Sequence, residues 1–463
     1  DHPPLFFWIQ HISIKIFGEN TWALRFPSAL FGVGIIFLIY LISNALLGKI
    51  SGIIALFLSS VHIYRVWISR IGLQESTALF FILLSIYFFL LGQNNKKYYF
   101  GFGVALGLSM LTKYTSFFII PALFTYLFIT DKKELKEKYL WMGLGLGIII
   151  FSPVIIYNFM LYKYFGHFDF QFSYIFGQKT SQWIIQPGKE EFATVSEKLK
   201  YIFINLKNGL SYPFITILLI SFPLFLFHTF SKKNKNLIFI FLLMFWNILM
   251  YLVIGPSQRF LSLIIPSLII IVSFGLTILS QKFYKNVLYM FFGLIVIAET
   301  IFSYNTNISI QPSYFFSSSI HNNFSYSGYN ELDQWISRTT HEHKPQYSFP
   351  LKYNFLNSLS LKTRNIYNAS DARDLSLLFV LSRKTCASRY PNFLGDRSNF
   401  MAFVDNIKSE NAPTYFVIDP KSCLDPIFFD PAPLHEALNH KYELVRQFEG
   451  VEIHRLKDSG LNK

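Results

Sequence analysis

Apolar runs long enough to cross a hydrocarbon core of about 30 Å, which takes about 17 to 25 helical residues, recur along the first two thirds of the chain. They lie at 26 to 46, 50 to 66, 76 to 92, 99 to 112, 115 to 130, 139 to 161, 210 to 229, 236 to 254, 260 to 280 and 286 to 303. A helix satisfies its own backbone in lipid, so the pattern predicts ten transmembrane helices, with nine to eleven as the range. Several runs are short, and the pair meeting at Lys113 and Tyr114 could be a hairpin that never fully exits. After residue 304 the pattern changes to alternating helical and strand-like segments. "YNELDQWISRTT" and "RSNFMAFVDNIKSE" read as helices, "TYFVID" as a strand, and "YELVRQF" with "VEIHRL" as a strand pair. The expected architecture is a polytopic α-helical membrane domain over 1–303 and an α/β domain over 304–463, joined by a linker at 305 to 326.

Lysine density alternates from loop to loop. The loops holding Lys49, Lys96 and Lys97, "DKKELKEK", "SKKNK" and "QKFYK" together carry 12 Lys. The short loops between them carry only Arg65, Arg70, Lys113 and Arg259. Positive loops stay in the cytoplasm. This places the outer loops 1–25 and 162–209, and everything after 304, on the opposite side. The 162–209 loop has six Lys and four acids, which weakens the pattern without reversing it. The chain opens on Asp1 without an initiator Met or signal-type segment; it reads as truncated, lacking an upstream helix that would return the N-terminus to the cytoplasm.

Composition agrees with a membrane protein and excludes a nucleic-acid binder. The 463 residues are 52% hydrophobic and only 15% charged, where ordinary globular chains are about 25% charged. Basic residues outnumber acidic ones 24 to 11 before residue 304 and 17 to 16 after it, so the excess lies in the apolar part rather than on one soluble face. Both cysteines, Cys386 and Cys423, fall in the polar part, compatible with one extracytoplasmic disulfide or with two buried thiols.

The first 30 residues, "DHPPLFFWIQHISIKIFGENTWALRFPSAL", carry the densest signal. The Pro pair holds Asp1 and His2 on an extended turn, and Leu5 to Phe17 suits a helix lying along the membrane interface. Arg25 stands at the outer mouth of the first span. The order Asp-His-Pro-Pro-Leu, aromatic pair, "IFGENTWALRFPSAL" and a glycine-bearing helix resembles the first outer loop of GT-C class membrane glycosyltransferases. It is most similar to the dolichyl-phosphate-mannose-protein mannosyltransferase-like group and the lipid A aminoarabinose transferase. The resemblance covers roughly 1 to 303. It implies transfer of a sugar, by inversion, from a polyprenyl-phosphate carrier to a lipid, glycan or protein acceptor on the outer face of the plasma (inner) membrane. The family's essential Asp-Glu pair lies upstream of the Pro-Pro motif, before this sequence starts. The resemblance further implies a carrier-phosphate contact at His2, an acid for a divalent metal or for the acceptor at Asp1, and an acidic site residue at Glu75. Lys113, with Tyr114, and Arg259 match family positions that hold the phosphate.

Each of these residues also has a plainer reading. Glu75 could be a helix N-terminal acid favoured by the dipole. Arg70 could pair with Glu75, contact phosphate, or be a solvated interfacial side chain. Lys113 could simply snorkel. His167, Asp169, Gln171 and Lys179, interleaved with aromatics in "FGHFDFQFSYIFGQK", suit either a lid over donor or acceptor or an interfacial aromatic belt. A transporter or flippase of a lipid-linked sugar is the competing class; it predicts paired broken helices with charges at mid-membrane.

Overall fold

The computed structural model describes residues 3–18, 20–178, 194–255, 257–281, 285–308, 316–318, 320, 378–381, 415–418, 442–448 and 451–457. The chain divides into two compact units, 1 to 18 with 22 to 323, and 19 to 21 with 324 to 463.

The first unit is helical. Helix α1 (Leu5–Phe17) starts directly after Pro4, and Gly18 ends it at φ 82°. There follow α2 (Thr21–Leu47), α3 (Lys49–Val61), α4 (Ile63–Arg70), α5 (Glu75–Asn94), α6 (Tyr98–Thr112) and α7 (Ile119–Thr130). Then come α8 (Lys138–Phe165), α9 (Phe170–Ile175), α10 (Val195–Gly209), α11 (Tyr212–Ser231), α12 (Lys235–Ile254), α13 (Leu261–Ser280) and α14 (Lys285–Asn307).

Among the described residues, six helices are long and apolar enough to cross a membrane: α2, α5, α8, α11, α12 and the run Gln258–Ser280 that ends in α13. The bent pair α3 and α4 makes a seventh if taken as one span. About ten transmembrane helices are expected from the sequence; six, or seven with the bent pair, reach that length among the described residues. Two of the expected short runs meet where Lys113 adopts φ −158° and a short 3-10 turn follows. That leaves α6 at 15 residues and α7 at 12, too short to cross alone at 1.5 Å per residue. The run at 50 to 66 is likewise two helices set at 55°. His62 turns extended at the break, and its Nδ1 accepts the Tyr64 N–H at 3.2 Å, capping α4.

The bundle is built around α13, in which every residue from Leu261 to Leu276 is buried. Ser273 on α13 meets Ser51 of α3 at 2.8 Å, and Ser51 meets Ser43 of α2 at 3.1 Å. Hydroxyl contacts of this kind hold helices together where lipid removes the hydrophobic drive between them. At the periphery α8 does the opposite. It exposes Trp141, Ile148, Ile149, Ile156 and Phe159, an outward apolar surface that water would not tolerate at this size. The chain is a multi-pass membrane protein.

In the second unit the described strands are β1 (Leu378–Leu381), β2 (Tyr415–Ile418), β3 (Tyr442–Phe448) and β4 (Val451–Leu456), in the order β1-β2-β4-β3. β1 runs parallel to β2, β2 antiparallel to β4, and β3 and β4 form a hairpin with an irregularity between Leu444 and Arg446. β2, β3 and β4 fall on the expected strand segments. The two expected helices of this part, and both cysteines, lie outside the described residues.

Candidate phosphate-binding site

Glu75 opens α5 and is buried, its side chain fully shielded. One carboxylate oxygen, Oε1, receives Lys113 Nζ at 2.8 Å and lies 3.7 Å from a terminal nitrogen of Arg259. The three side chains come from the start of α5, the residue that ends α6, and the 3-10 turn Gln258–Phe260 that leads into α13. Two features hold the last of these in place. The Tyr64 hydroxyl donates to the Gln258 and Arg259 carbonyls, at 3.0 and 2.9 Å. Lys113 Nζ lies 4.9 Å from the Phe260 ring centre, within cation–π range. Arg259 keeps 46% of its side chain exposed. The cluster therefore carries two cations and one anion, with the looser cation facing out.

A cavity of about 30 Å³ lies under the cluster, lined by Leu79 and Ile82 of α5, Thr115 and Ser116 after Lys113, Asn247 of α12 and Leu263 after Arg259. That is room for a water, not for an isoprenoid chain.

A second constellation adjoins Lys113 in sequence. The Tyr114 hydroxyl donates to Asp169 Oδ2 at 2.6 Å, and Asn158 Nδ2 donates to the same oxygen at 3.1 Å. Asp169 Oδ1 accepts the N–H groups of Gln171 and Phe172, starting α9, while the Asp169 N–H donates to Asn158 Oδ1 at 2.9 Å. Asp169 is buried and both its oxygens are engaged. The carboxylate thus pins α9 to α8 and to Tyr114. His167, also buried, turns Nδ1 to the Phe168 carbonyl at 2.7 Å.

Removing this carboxylate strands four donors, each costing about 1–3 kcal/mol when left unpaired in a buried place. Asp169→Ala should therefore lower the thermal midpoint and speed protease nicking between 166 and 178. Asn158→Ala should act on the same readouts, and the double variant should fall well short of the sum.

Of the sequence candidates, Glu75, Lys113 and Arg259 thus come together, and Tyr114, His167 and Asp169 gather in the adjoining knot. Arg70 is exposed, and Glu75 pairs with Lys113 and Arg259 instead. Asp1, His2 and Lys179 lie outside the described residues. Asn158, Tyr64 and Phe260 were missed. Asn158 alone left a trace, as a lone amide in the apolar run "SPVIIYNFML". Among the described residues no three His, Cys, Asp or Glu side chains gather as metal ligands. Glu75, the carboxylate of the cluster, is already neutralised by Lys113. These residues do not fit a divalent ion, and Asp1, the acid expected to hold one, lies outside the described residues.

Residues 1–157 match the dolichyl-phosphate-mannose-protein mannosyltransferase family. Bacillus subtilis YkcB, which carries a provisional mannosyltransferase name, is 29% identical over 155 residues, 32% of this chain and 21% of YkcB. The undecaprenyl phosphate-alpha-4-amino-4-deoxy-L-arabinose arabinosyl transferase of Wigglesworthia glossinidia brevipalpis is 35% identical over 141 residues, 27% of this chain and 24% of that one. The matched stretches thus span between a fifth and a quarter of these relatives' length. Apo ArnT from Cupriavidus metallidurans superposes with a TM-score of 0.54 at 13% identity, covering 98% of this chain and 87% of ArnT.

The chain shares the fold of ArnT.

A second ArnT structure, bound to undecaprenyl phosphate, gives a TM-score of 0.51 at 14% identity. In the chain described here, Glu75, Lys113 and Arg259 all stand at helix ends, so the bundle itself sets their spacing.

Proposed function

We propose that the chain transfers a hexose or pentose from a polyprenyl-phosphate donor to a lipid, glycan or protein acceptor at the outer face of the plasma membrane. The observation that carries the reading is the Lys113–Glu75–Arg259 cluster, one positive charge in excess where helix ends meet. An arriving phosphate supplies the missing negative charge, and charge-assisted contacts from Lys and Arg are the strong ones for such a group. The ArnT structure that holds undecaprenyl phosphate and the relative named for an undecaprenyl-phosphate-linked sugar support the same donor class.

In the reaction the acceptor oxygen bonds to the anomeric carbon as the bond from that carbon to the phosphate oxygen breaks. The electron pair leaves with polyprenyl phosphate, the acceptor proton goes to a base, and a single displacement inverts the configuration. Lys113 and Arg259 stabilise the charge that grows on the leaving phosphate, the form of catalysis in which preorganised donors matter most. Glu75 positions the two cations. Paired through Oε1 with two cations, the Glu75 carboxylate is a weak proton acceptor even though its Oε2 has no partner among the described residues, so the base is an acid of the first outer loop, where Asp1 and His2 are assigned on sequence alone. The α9 segment, with His167 and Asp169, forms a lid whose seat is Tyr114.

The test is acceptor-dependent release of polyprenyl phosphate by the chain reconstituted with carrier-linked hexoses and pentoses. Release that rises with acceptor supports transfer. Intact carrier-linked sugar crossing the bilayer without release would support a transporter instead.

A further inference from the structure

Helix α1 turns Gln10 and Ser13 inward beside Phe6 and leaves His11 and Lys15 exposed. Gln10 and Ser13 are buried, while Phe7, Trp8, Ile12, Ile16 and Phe17 are exposed. Gln10 Nε2 donates to the Leu24 carbonyl at 3.0 Å and to the Gly72 carbonyl at 3.1 Å, and Ser13 Oγ donates to the Ala23 carbonyl at 2.6 Å. Ser28 Oγ adds a bond to the Leu73 carbonyl at 2.9 Å. These four bonds clamp the first turns of α2 against the 71 to 74 turn. A Cβ on Gly72 would come to 3.1 Å from the Leu24 carbonyl oxygen.

The clamp brings together Arg25 and Arg70, which flank the stapled residues in sequence. Both side chains are exposed, and the staple sets the turns that carry them against each other. Among the described residues neither is in an ion pair with a carboxylate. Two like charges on adjoining rigid turns favour an anion between them. The depth is marked as well. Trp22 stacks on Phe26 at 4.9 Å on the same turns of α2, with Phe17 edge-on to both at 4.7 and 5.1 Å, an aromatic group of the kind found at headgroup level.

We propose that Arg25 and Arg70 bind the phosphate of an anionic phospholipid of the surrounding bilayer, whose acyl chains lie along the exposed apolar face of α1. Guanidinium forks match phosphate oxygens bidentately, and the apolar wall beside them selects a phosphate that carries hydrocarbon over a free one. The site is separate from the Lys113–Glu75–Arg259 cluster and stands independently of the donor reading.

The test is native mass spectrometry of the chain exchanged into phosphatidylcholine nanodiscs that contain a minority of phosphatidylglycerol. The unmodified chain should retain one phosphatidylglycerol. Arg25→Gln/Arg70→Gln should retain about ten-fold less, and Arg25→Lys/Arg70→Lys an intermediate amount. The unmodified chain alone also tests the idea, since equal retention of phosphatidylcholine and phosphatidylglycerol overturns it whether or not the variants fold. Equal phosphatidylglycerol on the Gln variant overturns it too. Displacement of the bound lipid by equimolar polyprenyl phosphate would assign the pair to the donor and likewise overturn the proposal.

Discussion

Lys113→Ala should cut sugar transfer by on the order of 10²–10³-fold, the usual loss when one preorganised donor to a developing anion is removed. It should also destabilise the protein by about 3–5 kcal/mol, because breaking a buried pair leaves an uncompensated charge. The Glu75 side chain is fully shielded, and its remaining neighbour, Arg259, lies 3.7 Å away and is half exposed. The two effects can be separated. Glu75→Gln/Lys113→Met removes both charges and should recover most of the stability, since a buried pair replaced by neutral groups is often no less stable. Transfer should stay low in that double variant, because the phosphate still lacks its first cation. Thermal midpoint and acceptor-dependent release of polyprenyl phosphate, measured on the same preparations, check both halves. A double variant that regains transfer would mean that Lys113 serves only to neutralise Glu75.

The sequence supplied candidates for this cluster without their pairing. Lys113 and Arg259 are distant from Glu75 along the chain, while Arg70 is only five residues away. The nearest cation is nevertheless not the partner. The reason is mechanical: the turn after Arg70 is stapled through Gly72 and Leu73 to the start of α2, on the side of α1. Tyr64, on the same short helix α4, instead fixes the Arg259 turn. Local spacing carries no trace of either link. The hinge at His62 was equally silent, because it uses neither Pro nor Gly and rests on one side-chain cap. The long helices were legible because lipid forces each to be apolar along its whole length. The strands β2, β3 and β4 were legible from β-branched and aromatic content between turn residues. β1, four residues of an apolar stretch, has no period to read.

Asp169 shows how a side chain's type can be read while its task is not. An acid among aromatics in an outer loop suggests a sugar contact. Both oxygens of Asp169 are already taken by Tyr114, Asn158 and two backbone N–H groups. In the proposed reaction its influence on a sugar would therefore pass through α9 and Tyr114, the residue next to Lys113.

Gly143→Val should be the most damaging substitution outside the cluster. Helices α6 and α8 cross with almost no side chain between them. A Cβ on Gly103 would fall 1.7 Å from the Gly143 carbonyl oxygen, and one on Gly143 would fall 2.1 Å from the Tyr99 carbonyl oxygen. One turn on, Gly107 and Gly147 repeat the arrangement, at 2.7 Å from the Gly147 oxygen and 2.8 Å from the Gly103 oxygen. Each helix thus presents small residues four apart, the pattern that lets membrane helices approach backbone to backbone. A valine in such a contact cannot be met by rotating a neighbour, since the obstructing atoms are main chain, and the helices must separate. The consequence reaches the site because α6 ends at Lys113 and α8 carries Asn158. Separation would pull Lys113 from Glu75 and Tyr114 from the Asp169 that Asn158 holds on α8, in one step. Overpacking of a tight interior costs about 1–3 kcal/mol or more. Transfer should nonetheless fall further than that destabilisation alone requires, because a misplacement of about 1 Å at a positioning group can cost 10²-fold. Gly145, on the same helix with nothing within 4 Å of its added Cβ, is the control. Gly145→Val should leave transfer and thermal midpoint close to those of the unmodified chain, and equal effects at 143 and 145 would remove the glycine contact as the frame of the site.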